Sequence, residues 1–373
     1  MSSFVPQRLF RLAYGLDSHV GRGLRAARRR LGLHRPLRIQ PYRGYGTARW
    51  TLVKARVLED KGVPEPRAKR TLVGSAVASY KRFATVQVPR VPVRIRWGHA
   101  VFDARTDEEG FLDAWVATPT DATPGWHELE LELLDGDPAR ATARVLLVGE
   151  TADLGVISDI DDTIIVTGVT NLLRRAWALF MHEASARVPF EGVSALYEAL
   201  QEGSADGAAN PIFYVSSSPW NLYEHLEHFL ALHGIPAGPI LLRDWGLSPT
   251  GFAPGGGHGH KLDKIRGILQ ALPWLPFVLI GDSGQQDPEH YTAIAREHPG
   301  RIACIYIRDV TASPRREAEL EALAEQARRA GTELVLAPDT VSAARHAAAR
   351  GLIRWDEVRQ VRQQRDEDTG AAR

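Results

Sequence analysis

The chain has 373 residues, 44% hydrophobic and 24% charged, with a formal net charge of +1; that length suggests about two domains. A balance this even gives no whole-chain argument for nucleic-acid binding, and no nucleic-acid partner is expected. The lone cysteine, Cys304, excludes an internal disulfide, and its setting in "RIACIYI" reads as core.

Residues 1–36 form a basic amphipathic segment. Nine Arg or Lys residues within 1–38 face one acid, Asp17, with Leu9, Leu12, Leu16, Leu24 and Leu31 interleaved. Such a segment lies solvated on the protein or contacts an anionic membrane surface, because a basic face beside an apolar one favours acidic lipid; a targeting peptide or a nucleic-acid contact is the remaining alternative. The start has no apolar stretch followed by a small-residue cleavage site, and no run of about 18 apolar residues could span a bilayer. A cytoplasmic protein, at most peripheral at a membrane surface, is expected.

Residues 37–150 read as β. The runs Arg49–Leu58, Phe83–Val88, Val91–Trp97, Gly110–Ala117, His127–Leu134 and Ala141–Val148 are short, and several alternate apolar with polar residues. Turn signals such as "DEEG", "TPG" and "DGDP" separate them. This spacing predicts an antiparallel β-sandwich-like domain.

From Leu154 the rhythm changes. Apolar runs "LGVISD", "PIFYVSS", "GPILLRD", "PFVLIGD", "RIACIYIRD" and "TELVLAP" alternate with helical patterns. They predict strands buried on both faces of a parallel sheet over residues 151–350. Leu222, Leu226, Phe229 and Leu230 share one face of a helix that closes at Gly234. Ser313 and Pro314 open another, which ends at Gly331. Residues 351–373 form a polar tail, frayed from about Gln363.

Ligands of open α/β sheets bind beyond the carboxyl ends of the strands. The first run ends in Asp159-Ile160-Asp161-Asp162-Thr163. In an extended segment residues two apart project the same way, so Asp159 and Asp161 can share a crevice. Magnesium, a hard cation with oxygen ligands, would offset their repulsion. A carboxylate held there can attack phosphorus to give an aspartyl-phosphate, and a second carboxyl can protonate the leaving oxygen and then activate water. The second run ends in Ser216-Ser217-Ser218-Pro219. Ser218 before Pro219 reads as a helix cap, which leaves the Ser216 hydroxyl, with the Ser217 amide, to bind a phosphate oxygen. After "PGGGHGH" comes Lys261, with Lys264 as its competitor, to offset charge building on a phosphoryl group. His258 and His260 lack a third ligand at zinc spacing. The fourth run ends in Asp282, and Asp287 before Pro288 reads as a helix cap that can also hold a metal-bound water.

The pattern D-x-D-x-T over Asp159–Thr163, a serine after an apolar strand, and a lysine about twenty residues before GD-x4-D resembles the haloacid dehalogenase-like phosphatase superfamily. "GVISDIDDTI", "FYVSSSPWNLY", "HK" and "LIGDSGQQDPEHY" resemble, more narrowly, the catalytic domain of the fungal actin-patch-associated phosphatidate phosphatase family and its bacterial relatives. "PYRGYGTA" at Pro41–Ala48 is similar to the region upstream of that domain.

The resemblance implies an α/β fold with a Rossmann-like parallel sheet, and the short 164–210 segment leaves a small or absent cap. It makes Asp159 the nucleophile and Asp161 the general acid/base, whose backbone carbonyl would also ligate Mg2+. Ser216 and Lys261 would hold the phosphoryl group, with Ser217 and Thr163 beside it. Asp282 would bind the metal, supported by Asp287, and Asp162 occupies the variable position of the motif. The implied activity is a magnesium-dependent phosphatidate phosphatase, acting on a lipid phosphate. A phosphatase of soluble or macromolecular phosphomonoesters would use the same residues, and a non-catalytic interaction protein is the remaining alternative.

Overall fold

The computed structural model describes residues 36–59, 88–135, 138–165, 189–205, 207–243, 259–310 and 313–371. The basic segment up to residue 35, most of the expected strand Phe83–Val88, most of any cap, and His258 lie outside the described residues.

The strands form two sheets. The first, sheet A, comprises β1 (Leu37–Gly46), β2 (Trp50–Glu59), β3 (Pro92–Trp97), β4 (Ala100–Arg105), β5 (Phe111–Ala117), β6 (Gly125–Leu133) and β7 (Arg140–Leu147) in the order β4-β3-β6-β7-β1-β2-β5. Neighbours are antiparallel except β1 and β7. Only five residues, 106–110, join β4 at one edge to β5 at the other. Laid flat, seven strands at ~4.8 Å spacing would measure about 29 Å across. The six-step link reaches about 20 Å. The sheet therefore curls on itself, and its inner face encloses one core that includes Val53, Val93, Ile95, Leu131, Ala143 and Val145. This corrects the expected sandwich: among the described residues a single curled sheet takes the place of two facing ones. Alternation specifies one buried face and says nothing of what that face packs against.

Two strands were not visible in the sequence. β1 contains Pro41, Gly44 and Gly46 and looks like a turn, yet it pairs with β2 through a register shift between Tyr42 and Tyr45. A Cβ on Gly44 would fall 2.0 Å from the Leu52 carbonyl oxygen, so only glycine lets the strands close there. β4 follows β3 through a tight turn at Gly98, with φ +57°.

All six apolar runs after Leu154 become strands of sheet B: β8 (Gly155–Ser158), β9 (Ile212–Pro219), β10 (Ile240–Arg243), β11 (Phe277–Asp282), β12 (Ile302–Arg308) and β13 (Leu334–Ala337). The order is β10-β9-β8-β11-β12-β13 and every pair is parallel. This is the doubly wound arrangement, whose order reverses between its first and fourth strands, here β8 and β11. α1 (Val193–Glu202), α2 (Tyr223–Leu232), α6 (Thr340–Ala349) and α7 (Glu357–Ala371) cover one face. α3 (Gly259–Ala271), α4 (Asp287–Glu297) and α5 (Pro314–Arg329) cover the other. Strands buried on both faces must be largely apolar, as the fully buried β8 is up to Ser158 and β11 up to Asp282. Ser313 stands at the N-cap of α5 and Pro314 opens it, as its sequence predicts.

The polar C-terminal stretch is a correction. It forms α7, which buries Val358 and Val361, and Asp368 accepts a 2.8 Å hydrogen bond from the Gly192 amide ahead of α1. Two valines a turn apart make too narrow a stripe to stand out among so many charges.

Sheet A is packed against sheet B through β1. Tyr42 enters the core on one face of sheet B and Tyr45 the core on the other.

Candidate active site at the carboxyl ends of β8, β9 and β11

β8 and β11 are adjacent, and the Asp159 amide donates to the Ile280 carbonyl at 2.9 Å. That contact aligns the two strand ends and brings Asp159 beside Asp282. Asp159, Asp282 and Asp287 are all buried, each with one carboxylate oxygen within 4.8 Å of those of the other two.

Lys261, in the first turn of α3, reaches into this cluster. Its ammonium lies 2.8 Å from Asp159 Oδ1 and also pairs with Asp287 Oδ1. Lys264 does not join them: it lines a cavity of about 720 Å3 between sheet A and α3, to which none of the site carboxylates contributes. Asp287 is the first residue of α4, and Gln286, not Asp287, stands at the N-cap. Asp287 turns inward, where Oδ2 accepts from the Asp282 amide at 3.3 Å. A Cβ at position 281 would fall 2.4 Å from that oxygen, which explains the glycine before Asp282.

Asp161 points to different partners from Asp159. Its Oδ2 accepts hydrogen bonds from Ser216 at 2.9 Å and Ser218 at 3.0 Å. Ser218 is therefore no helix cap: it is in β9, and the 3₁₀ turn Trp220–Leu222 begins after Pro219. The Ser217 side chain, between them, is exposed. Thr163 donates weakly to Asp159 Oδ2 at 3.4 Å. Asp162 takes a left-handed conformation, with φ +57°, and its amide donates to the Ile165 carbonyl. Aspartate tolerates that conformation better than most residues.

Asp282 is held by its own turn. Oδ1 accepts from the amides of Gly284 at 2.8 Å and Gln285 at 2.9 Å. The Gln285 side-chain amide donates to both Asp282 Oδ2 and the Asp161 backbone carbonyl, each at 3.1 Å. Sequence reading missed Ser218 and Gln285. The two-apart rule applied to Asp159 and Asp161 would have paired Ser218 with Ser216.

The electrostatics follow from crowding. Burial lifts Asp159 well above the usual carboxylate range; Lys261 opposes this, while Asp287, Asp161 and Asp282 add to it. Burial also raises Asp161, against the hydrogen bonds from Ser216 and Ser218. Asp282 is pushed up to about 7 by burial and then by Asp287. For Lys261 burial favours the neutral amine, but Asp159 and Asp287 outweigh it and raise the ammonium well above its ordinary value. Four buried carboxylates thus face one buried ammonium. The excess negative charge and an all-oxygen donor set fit a hard divalent cation, not a thiolate- or imidazole-bound metal.

His260 is apart from this cluster, with Nε2 3.3 Å from the Leu242 carbonyl oxygen. Cys304 is fully buried, its thiol pushed up to about 12 mainly by burial, which suits a core residue and not a nucleophile. Among the described residues no helix is long and apolar enough to cross a membrane.

Residues 154–309 match the family described as Phosphatidate phosphatase APP1, catalytic domain. The chain resembles that family over the segment that carries all of the site residues above. It is 33% identical over 238 residues to Phosphatidate phosphatase APP1 of Saccharomyces cerevisiae, covering 61% of this chain and 39% of that protein. An uncharacterized protein of Schizosaccharomyces pombe is 31% identical over 159 residues, 42% of this chain and 25% of that protein. The chain thus spans well under half the length of these curated relatives. Among solved structures, a carbohydrate acetylesterase from Xanthomonas citri aligns over 79% of this chain and 66% of that chain at 10% identity, with a TM-score of 0.32.

Proposed function

We infer that the protein is a phosphatase: a magnesium-dependent phosphomonoesterase of the haloacid dehalogenase type, acting on phosphatidate or a related lipid phosphate. The carrying observation is the ion pair of Lys261 with both Asp159 and Asp287 at the carboxyl ends of adjacent parallel strands, beside Asp161 and Asp282. The family match over residues 154–309 supports the substrate class.

In this reading Asp159 Oδ attacks phosphorus and becomes an aspartyl-phosphate, while Asp161 delivers a proton to the leaving oxygen. Its Oδ2 already accepts from two serines, so the transferable proton belongs on Oδ1. Burial raises its pKa, which favours the protonated carboxyl. Asp161 then takes a proton from the water that hydrolyses the intermediate. Ser216, Lys261, Thr163 and the Ser217 amide orient the phosphoryl oxygens. Asp159, the Asp161 carbonyl and Asp282 would hold the Mg2+, with Asp287 in support, and the ion would supply charge neutralisation at the phosphoryl group. Residues 37–150 form one structural unit of this enzyme and residues 151–371, with the C-terminal helix included, the other; the basic segment 1–36 is its contact with anionic lipid, on a cytoplasmic membrane face.

The test is hydrolysis of a panel of phosphatidate, sugar phosphates, phosphopeptides and nucleotides, with and without Mg2+. Phosphatidate is the preferred substrate, and Asp159→Asn abolishes turnover while the fold persists. Turnover retained by Asp159→Asn removes the nucleophile assignment, and preference for a soluble substrate removes the lipid assignment. Loss of vesicle-stimulated activity on deleting residues 1–36 checks the membrane contact.

A further inference from the structure

The serine stretch of β9 is weakly held by its own sheet. Leu241 of β10 pairs with Val215, yet Arg243 pairs with Pro219, so two steps along β10 span four along β9. Ser216–Ser218 therefore bulges out of the ladder, and a bulge leaves backbone without regular partners. The Ser218 amide turns instead to Ser216 Oγ at 2.9 Å.

What braces this bulge comes from sheet A. Trp220 lies two residues beyond Ser218, and Tyr223 opens α2. The buried Tyr42 ring of β1 packs on both, with centroids 4.5 Å from Trp220 and 4.6 Å from Tyr223. The Arg43 amide donates to Tyr223 Oη at 2.7 Å. The Arg43 guanidinium pairs with Glu227 of α2 at 2.9 Å and donates to the Gly238 carbonyl at 3.4 Å. Lys54 of β2 lies 5.4 Å from the centroid of the other ring, Trp220. Contacts run from β1 to Trp220 and Tyr223, the backbone through Pro219 joins Trp220 to Ser218, and Ser218 donates to Asp161.

We propose that Tyr42 and Arg43 are positioning residues for the Ser216–Ser218 bulge, which makes sheet A part of the catalytic apparatus and not a separate binding module. The inference rests on the phosphatase reading for its effect on turnover, but its structural half stands apart from that reading. The carboxylates expected to hold a cation, Asp159, Asp282 and Asp287, follow β8, end β11 and open α4, and the Asp161 carbonyl is held by Gln285; the bulge serines meet only the Asp161 side chain. Loss of the brace disturbs the serines and leaves cation binding intact.

The experiment uses the full chain with Tyr42→Ala, Tyr223→Phe and Tyr42→Phe. Tyr223→Phe keeps the ring and removes only the acceptor for the Arg43 amide, so it remains folded if Tyr42→Ala does not. Amide exchange over residues 212–223 rises on the order of tenfold in Tyr42→Ala and less in Tyr223→Phe, with the strands of sheet A unchanged. With p-nitrophenyl phosphate, kcat falls by about tenfold while Mg2+ affinity measured by calorimetry stays at the wild-type value, and Tyr42→Phe restores most of the turnover. Unchanged exchange at the serines overturns the proposal, as does loosening spread evenly over both sheets or a parallel loss of Mg2+ affinity. If the wild-type protein hydrolyses no phosphomonoester, the phosphatase reading fails, and the exchange result still decides whether the brace exists.

Discussion

Lys261 Nζ lies 2.8 Å from Asp159 Oδ1 although 102 residues separate the two in the chain, and both side chains are buried. The ammonium shares itself between Asp159 and Asp287. It is the only cation that pairs with these carboxylates among the described residues, so the stability of the site and its chemistry depend on the same group.

Replacing Lys261 by Met leaves Asp159 and Asp287 buried without a counter-charge. Breaking a buried pair from one side costs on the order of 3–5 kcal/mol. Denaturant unfolding at neutral pH should show that loss, and added Mg2+ should restore part of it. Unchanged stability would mean that the lysine is solvated and the pair is absent.

The metal-free protein should become less stable as pH rises. Asp282 has an ordinary value of 3.8 and is pushed up to about 7 in the fold, so between these limits the folded state binds more protons than the unfolded one. Its contribution is complete below the unfolded value and is lost as pH passes through the folded one. Asp159 and Asp161, also raised, act in the same direction. Mg2+ favours the ionised carboxylates and opposes the trend. Melting temperatures between about pH 5 and pH 8 should therefore fall more steeply with a chelator than with excess Mg2+; equal slopes would contradict a cation site.

Ser218→Ala removes one of the two donors to Asp161 Oδ2. Those hydrogen bonds hold the Asp161 pKa down against burial, so their loss moves it further up. The limb of the pH–rate profile that reports Asp161 should move to higher pH, with turnover reduced by roughly tenfold. A profile that coincides with wild type would return Ser218 to a purely structural role.

Val361→Ala tests the C-terminal helix. Val361 is fully buried between α7 and its neighbours. Loss of two methyl groups there should cost about 2 kcal/mol in a denaturant titration. A disordered tail would show no change.

Much of the site is legible in the sequence because a parallel α/β sheet delivers its ligands at strand ends, and strand ends follow from local apolar runs. Asp159, Asp161, Ser216, Lys261, Asp282 and Asp287 each stand where such a run or helix begins or stops. The errors have local causes. Ser218 before Pro219 carries the signature of a cap, but a bulge, which depends on the neighbouring strand, turned it to Asp161. β1 carries Pro41 and two glycines that signal a turn, and its pairing is rescued only because β2 and β7 flank it.

The sequence by itself determined which residues carry charge and hydroxyls, and which runs are buried on two faces. It could not decide that β8 lies beside β11, because strand order is fixed by how helices cover the two faces of the sheet. Nor could it decide between Lys261 and Lys264, three positions apart on one helix. That depended on which side of α3 faces the strand ends and which faces sheet A. Tertiary structure alone brought β1 against Trp220 and Tyr223, because burying aromatic surface between two sheets needs both sheets in place.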